Sequence, residues 1–286
     1  MIESSPSAIA VLDALVERLH RRGRLRVWSL VITVFGDAVA PRGGRVALAT
    51  LQEIMERLRI EPGALRTAMS RLAGDRWVTR VRQGRNSFFS LDVHGRHAFD
   101  LATRRIYAGR PPSWDGKWTV AIASPGTPDN PDLASLGFVR INGGVYLRPE
   151  TDDAPDAGPE LAGMLVVHGE SAEHPEALRA LWPSDEIGDA YRAFDADFAP
   201  LLKEEGTFSP LDAMAARTLL VHDWRRIVLR DPGLPEALLP PDWAGAQARA
   251  TAHAIYRRLL PASEAWLDRA GMPAQSDPAQ FAARWR

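Results

Sequence analysis

The spacing of apolar positions changes along the 286-residue chain, and each change marks an element. Leu65, Ala68, Met69 and Leu72 recur at i, i+3, i+4 and i+7, which predicts a helix with one buried face. Pro62 opens that helix after Glu61, because a first-turn proline has no amide hydrogen bond to lose, and Gly74 closes it. The opposite face carries Arg66, Thr67, Ser70 and Arg71. The period then drops to two. Val78–Val81 and Phe88–Leu91 read as an antiparallel pair around a basic tip, Arg82-Gln83-Gly84-Arg85-Asn86.

Upstream, Ser7–His20 places Ile9, Leu12, Leu15, Val16 and Leu19 on one helical stripe. Leu25–Phe35 is apolar nearly all round, as suits a buried helix. Gly36-Asp37 and then Pro41-Arg42-Gly43-Gly44 are expected to break it and leave a loop before Val46. Thr50 with Glu53 three residues later predicts an N-cap and capping box for a helix over Leu51–Leu58. Downstream, a helix over His94–Tyr107 runs into Gly109-Arg110-Pro111-Pro112, a boundary signal. Strands are expected at Trp118–Ala123, Phe138–Ile141, Val145–Leu147 and Met164–Val167, with one helical turn at Leu133–Leu136 and a Pro/Asp/Gly-rich loop at Thr151–Glu160. From Glu173 the signals are helical, through Ile187–Leu202, Ser209–Arg230 and Ala244–Leu260. The expected class is multidomain α+β: a DNA-binding helix–hairpin domain over 20–93, a linker helix over 94–116, a central α+β domain over 117–170 and a helical domain over 171–286.

Composition narrows the chemistry. There is no cysteine, which removes disulfides, thiolate metal sites and cysteine nucleophiles. No run of about 18 uncharged apolar residues occurs, and Met1–Ala10 lacks a signal-peptide pattern, so no membrane association and a cytoplasmic protein are expected. The net charge of −1 conceals an asymmetry: residues 1–110 hold 19 Arg and Lys against 10 Asp and Glu, and the remainder 16 against 26. A basic front and an acidic remainder suit a chain whose first third meets phosphate.

Several runs together carry a resemblance. They are Phe35-Gly36-Asp37, Arg42-Gly43-Gly44, Leu65-Arg66-Thr67-Ala68-Met69-Ser70-Arg71-Leu72, Gly84-Arg85-Asn86-Ser87-Phe88-Phe89, Arg105-Ile106-Tyr107 and Trp114-Asp115-Gly116-Lys117-Trp118. In the C-terminal part they are Leu220–Pro232 and Leu238-Leu239-Pro240-Pro241-Asp242-Trp243-Ala244-Gly245. In that order and spacing the chain resembles the PaaX-type transcriptional repressors of phenylacetic acid catabolism, over most of its length. The resemblance implies an N-terminal winged helix-turn-helix, a central ferredoxin-like (Cas2-like) domain and a helical C-terminal domain. It also implies a homodimeric repressor on double-stranded operator DNA, released by an aryl-acetyl-CoA such as phenylacetyl-CoA, with no cofactor. Pro125–Gly137 is short for the first helix of such a central domain.

The candidate DNA contacts are Arg66, Thr67, Ser70 and Arg71 on the helix, whose side chains suit base edges, and Arg80, Arg82, Arg85 and Asn86 on the hairpin, which suit phosphate or the minor groove. The bland alternative is a solvated basic surface. For the effector, Arg225, Arg226 and Arg230 suit phosphates and Trp224 and Trp243 an aryl group, against an alternative in which the tryptophans are core and the arginines pair with nearby acids. His94 and His97 have a metal-compatible spacing but no third ligand nearby in sequence, so no metal site is expected. No GxSxG, HExxH, Walker A or GxGxxG pattern occurs. The strand at Trp118–Ala123 ends in Ser124-Pro125 rather than a carboxylate, which removes the metal ligand a Cas2-type nuclease needs. A ligand-independent regulator and a thioester- or nucleic-acid-processing enzyme are the rival classes.

Overall fold

A serine and a proline start the first helix: the Ser5 hydroxyl accepts from the Ala8 amide at 3.3 Å and Pro6 fills the first turn, giving α1 (Pro6–Arg21). The computed structural model describes residues 4–23, 25–84, 86–127, 130, 132–170 and 185–285, without the side chains of His94, His97, Ala98, Asp100, Leu101 and Ser135. These residues fall into two compact units, one of Met1–Gly109, Ala193–Arg226 and Gln247–Arg286, the other of Arg110–Arg192 and Ile227–Ala246.

In the first unit the expected break at Gly36-Asp37 does not occur. Helix α2 (Val27–Val34) continues through a π-turn over Phe35–Val39 and a 3-10 turn over Ala40–Arg42, and ends only at Gly43, whose φ of +88° suits glycine. Gly36 is needed for approach rather than for breaking: a Cβ there would lie 2.9 Å from the Phe99 ring. Asp37 stays helical because its carboxylate is fully engaged in the interior. A short strand β1 (Arg45–Ala47) follows and runs straight into α3 (Leu48–Arg57). The expected cap at Thr50 is therefore corrected: Ala47 is the N-cap, with no side-chain bond, and Thr50 lies buried inside the helix. Then come α4 (Pro62–Gly74), the hairpin β2 (Val78–Gln83) and β3 (Asn86–Leu91), and α5 (Val93–Ile106). β1 pairs antiparallel with β3, so the sheet order is β1-β3-β2. Leu65, Ala68, Met69 and Leu72 are buried as their spacing predicts, and α4 packs on α2 and α3.

The helices α7 (Asp185–Lys203), α8 (Pro210–Val228) and α9 (Gly245–Arg269) contribute most of their length to this unit, with the short α10 (Pro278–Ala282). A buried ionic cluster joins them to the front of the chain. Asp37, 2% exposed, accepts from Arg217 Nε at 2.6 Å, Tyr107 Oη at 2.6 Å, Tyr256 Oη at 2.9 Å and Arg284 Nη1 at 3.1 Å. Arg217 also donates to Glu264 at 2.6 Å, and Glu264 accepts from Arg42 at 2.7 Å. Burial opposes ionisation of Asp37, but the guanidiniums of Arg217 and Arg284 and the bonds from Arg217 and Tyr107 hold its carboxyl below the usual range.

In the second unit, β4 (Trp114–Ile122), a turn of helix α6 (Asp132–Ser135), β5 (Val139–Asn142), β6 (Val145–Thr151) and β7 (Leu165–Glu170) build an antiparallel sheet of order β5-β6-β4-β7. Alternation sends Trp118 and Leu147 to one face, under Leu234 and Leu238, and Ala121 and Tyr146 to the other, under Leu133, Phe138 and Ala157.

Replacing Asp37 by Asn leaves two buried guanidiniums short of their counter-charge. The expected loss of unfolding free energy is about 3–5 kcal/mol, read by chemical denaturation at neutral pH. The contribution of a depressed carboxyl is present above its unfolded value and lost as pH falls through its folded one, so Asp37→Asn should also flatten the acid limb of the stability curve. An unchanged midpoint at pH 7 would show the charge to be dispensable.

Candidate nucleic-acid interface

Helix α4 is the element that the first unit holds with one face in the core and one in solvent. Arg66, Thr67, Ser70 and Arg71 are all exposed, so the four sequence-predicted positions lie together on one surface. They are not equally free to reach outward. The Thr67 hydroxyl donates back to the Gly63 carbonyl at 3.1 Å. The Arg71 guanidinium lies over the Trp28 ring at 5.4 Å from its centroid and 3.5 Å from Asp75. Arg66 and Ser70 form the outer edge of the face.

The hairpin beside it is longer than the sequence pattern suggests. Pairing continues to Gln83 opposite Asn86, and Gly84 follows Gln83 at a φ of +60°. Arg85 lies outside the described residues. Arg80 and Arg82 pair with Phe89 and Ser87, so they extend the face that carries Val78, Phe89 and Leu91 into the core. Arg80 donates to Ser87 at 2.9 Å and Arg82 to the Gly84 carbonyl at 3.4 Å, while Asn86 is exposed at the end of the ladder. Arg45 adds a cation that sequence reasoning missed. It reaches from β1 over the Phe88 ring, 4.4 Å from its centroid, and donates to Gln83 at 2.7 Å on the other face of the hairpin. The Arg45-Val46-Ala47 alternation was its signal, but three residues are too few to announce a strand.

The candidate effector residues are divided. Trp224, Arg225 and Arg226 belong to the first unit, and Arg230 and Trp243 to the second. Trp224 is 0% exposed and donates its indole N–H to the Ile106 carbonyl at 2.7 Å, so it is core and offers no surface to a ligand. Arg225 is likewise committed: it donates to the Ser29 carbonyl at 2.9 Å and to the Thr33 hydroxyl at 2.8 Å, one turn apart on α2. Arg226 is exposed, 3.9 Å from Asp223, and Arg230 is 3.6 Å from Glu186. Trp243 stands edge-on to Tyr191. The side chains of His94 and His97 are outside the described residues.

Two family models match the chain: one described as PaaX-like protein over residues 26–95, the other as PaaX-like protein C-terminal domain over residues 182–269. The Transcriptional repressor PaaX of Escherichia coli (strain K12) is 34% identical over 287 residues, covering 91% of this chain and 89% of that protein. The chain belongs to the PaaX-like family. The first PaaX-like match spans α2 to the start of α5, and so contains the whole of the exposed α4 face and the hairpin. Among solved structures, the uncharacterized protein Rv0674 from Mycobacterium tuberculosis superposes with a TM-score of 0.52 at 23% identity, covering 76% of this chain and 89% of that one. That likeness speaks for the fold alone. Among the described residues of this PaaX-like protein no helix is long and apolar enough to cross a membrane.

Beneath the Arg226 surface, burial sets two unusual protonation states. His222 is pushed down to about 3 by burial and by the nearby Arg225 and Arg226. Asp223 is pushed up to about 6 by burial, with Arg226 and Arg22 opposing and Asp197 reinforcing. A raised carboxyl contributes stability that is present below its unfolded value and lost as pH rises through its folded one. Asp223→Asn should therefore stabilise the protein at pH 7.5 by about 2 kcal/mol, an advantage that fades below pH ~4, where both forms are neutral. Thermal melts across that range check it, and equal melting temperatures at pH 7.5 would count against the buried carboxylate.

For the candidate interface, Arg66→Ala and Arg82→Ala test base reading against phosphate contact. Arg66→Ala should cost about 1–3 kcal/mol on operator DNA and less on random DNA. Arg82→Ala should weaken both alike and lower the log–log salt slope by about one unit. Fluorescence anisotropy over a salt series distinguishes the two, and an Arg66→Ala loss equal on both sequences would reassign that residue to the backbone.

Proposed function

We propose that this chain is a DNA-binding transcriptional repressor of an aromatic, phenylacetate-type catabolic operon, released from its operator by an aryl-acetyl-CoA such as phenylacetyl-CoA. The observation that carries the reading is 34% identity to a transcriptional repressor spread over 91% of the chain, with a family match that encloses the α4 face and its hairpin. The succession of α3, α4, β2 and β3, closed by β1, supports a winged helix-turn-helix in which α4 is the recognition helix and the hairpin the wing. The order β5-β6-β4-β7, with the first strand of the sheet between the third and the fourth, supports the ferredoxin-like, Cas2-like reading of the central part.

On this reading α4 enters the major groove, with Arg66, Thr67, Ser70 and Arg71 toward the base edges, while Arg80, Arg82, Arg85 and Asn86 ride on the backbone or the minor groove. Arg45 is a further phosphate contact. The protein acts in the cytoplasm as a homodimer, and a two-fold pair of winged helices addresses half-sites about one helical turn apart, or a multiple of it, so its operator is an imperfect palindrome. The thioester releases DNA by binding more tightly to a geometry whose half-site spacing is wrong, since a ligand with equal affinity for both geometries shifts nothing. It is a regulator rather than an enzyme.

Gel shift at low ionic strength with duplex from upstream of the chain's own gene tests this, with and without phenylacetyl-CoA and with CoA as control. Retardation reversed by the thioester alone is expected. No affinity for any duplex would overturn the reading, and retardation indifferent to acyl-CoA would remove the effector from it.

A further inference from the structure

Past the end of α9 the chain turns at Gly271, at a φ of +74°, and runs back over the extension of α2. Most of Gly271–Trp285 is exposed, and the segment is anchored on that extension at two places. The first is the 3-10 turn. There the Ser276 amide donates to the Pro41 carbonyl at 2.7 Å, and Arg42 donates to the Pro273 carbonyl at 2.8 Å. The second is the π-turn, where Arg284 donates to the Asp37 carbonyl at 2.9 Å, to its carboxylate at 3.1 Å and to the Gly36 carbonyl at 3.5 Å. The Trp285 amide donates to the Tyr107 carbonyl at 2.8 Å. Its indole is enclosed by the rings of Tyr107, Trp224, His253 and Tyr256.

Charge makes the segment separable from what it covers. Without Arg284 the buried cluster still matches two carboxylates, Asp37 and Glu264, with two guanidiniums, Arg217 and Arg42, and the exposed Asp268 lies beside Arg42. Arg284 is a third cation brought from outside, so its departure leaves no buried ion without a counter-charge. Strain acts in the same direction. Trp285 is held at a φ of +67°, and its buried indole N–H finds no hydrogen-bond partner among the described residues. Both costs disappear when the segment lifts.

A line of contacts leads from the second anchor to the end of α4. A Cβ on Gly36 would lie 2.9 Å from the Phe99 ring, so the Gly36 backbone rests directly on it. Phe99 stands edge-on to Trp77, with centroids 6.0 Å apart, and the Trp77 amide donates to the Leu72 carbonyl at 2.9 Å, closing the last turn of α4. We propose that Gly271–Trp285 is a releasable strap whose docking on Gly36 and Asp37 positions the end of α4 through Phe99 and Trp77. Its consequence for DNA rests on the reading of α4 as the recognition helix: Arg284 and Trp285 are then positioning residues, and an open strap weakens operator binding.

Hydrogen exchange on the full-length protein tests the strap without reference to DNA. In the wild type the Ser276 and Trp285 amides should exchange about a hundredfold faster than amides in the middle of α8 and α9. Exchange as slow as theirs would mean that the segment opens only with the whole unit, which overturns the proposal. Trp285→Gly removes the indole and suits the positive φ. It should speed exchange at Asp75–Trp77 by about tenfold and leave the middle of α8 unchanged. Arg284→Gln, an independent release, should give the same pattern, and unaltered exchange at Asp75–Trp77 in both would disprove the coupling. Fluorescence anisotropy with operator duplex adds the functional readout: both variants should bind about five- to tenfold more weakly, with Arg284→Lys restoring part of the loss. If wild type and released variants bind operator alike, the strap does not position the DNA-binding helix. If the wild type binds no duplex, the DNA-binding reading falls, and exchange at Asp75–Trp77 alone decides the strap.

Discussion

The first unit depends on one buried carboxylate more than on any single apolar contact. Taking Asp37, Arg217 and Arg284 out of water costs several kcal/mol per ion, a cost offset only where nearly every lone pair and N–H finds a partner. Asp37 meets that condition with four side-chain donors, from Tyr107, Arg217, Tyr256 and Arg284. Those donors come from the end of α5, from α8, from α9 and from the residues after α10. An apolar cluster of the same size would tolerate sliding, whereas a carboxylate with fixed donors selects one arrangement. The extension of α2 is held by that selection, and α4 packs on α2. The orientation of α4 is thus set by a charge remote from its own surface.

A second ionic contact works on the same part of the chain from the other side. Arg57 of α3 is shared between Asp13 of α1 and Asp212 of α8, and α3 is also held by its buried Leu51, Ile54 and Met55, as α4 is by its buried leucines and Met69. The ion pair adds to that packing a contact that, being partly solvated, responds to charge and ionic strength.

What was legible in the sequence followed the strength of its periodicity. The α4 stripe, its proline start, its glycine stop and the order of the central strands all appear at or near their expected places, because each is announced by local spacing. The failures share a cause. Gly36-Asp37 looks like a helix stop in isolation, and only the distant Arg217 and the Phe99 ring explain why the helix passes through it. Thr50 looks like a cap, but a preceding strand paired to β3 moves the helix start to Leu48. Trp224 and Arg225 could be ligand groups or core by their type and spacing, and the sequence could not name the partners that hold them, Ile106, Ser29 and Thr33, all more than a hundred residues away. Long-range polar partners leave no trace in local spacing.

The pairing of the hairpin limits how this element can vary among relatives. Because Gln83 stands opposite Asn86 and side chains alternate across the ladder, inserting one residue into either strand would turn Phe89 and Leu91 outward and bring Phe88 and Ser90 in. Growth by one residue on each strand beyond Gln83 and Asn86 leaves the inner pairs untouched. The reach of this hairpin is therefore quantised, changing by whole rungs, and its tip can be lengthened or shortened without re-editing the core beneath it.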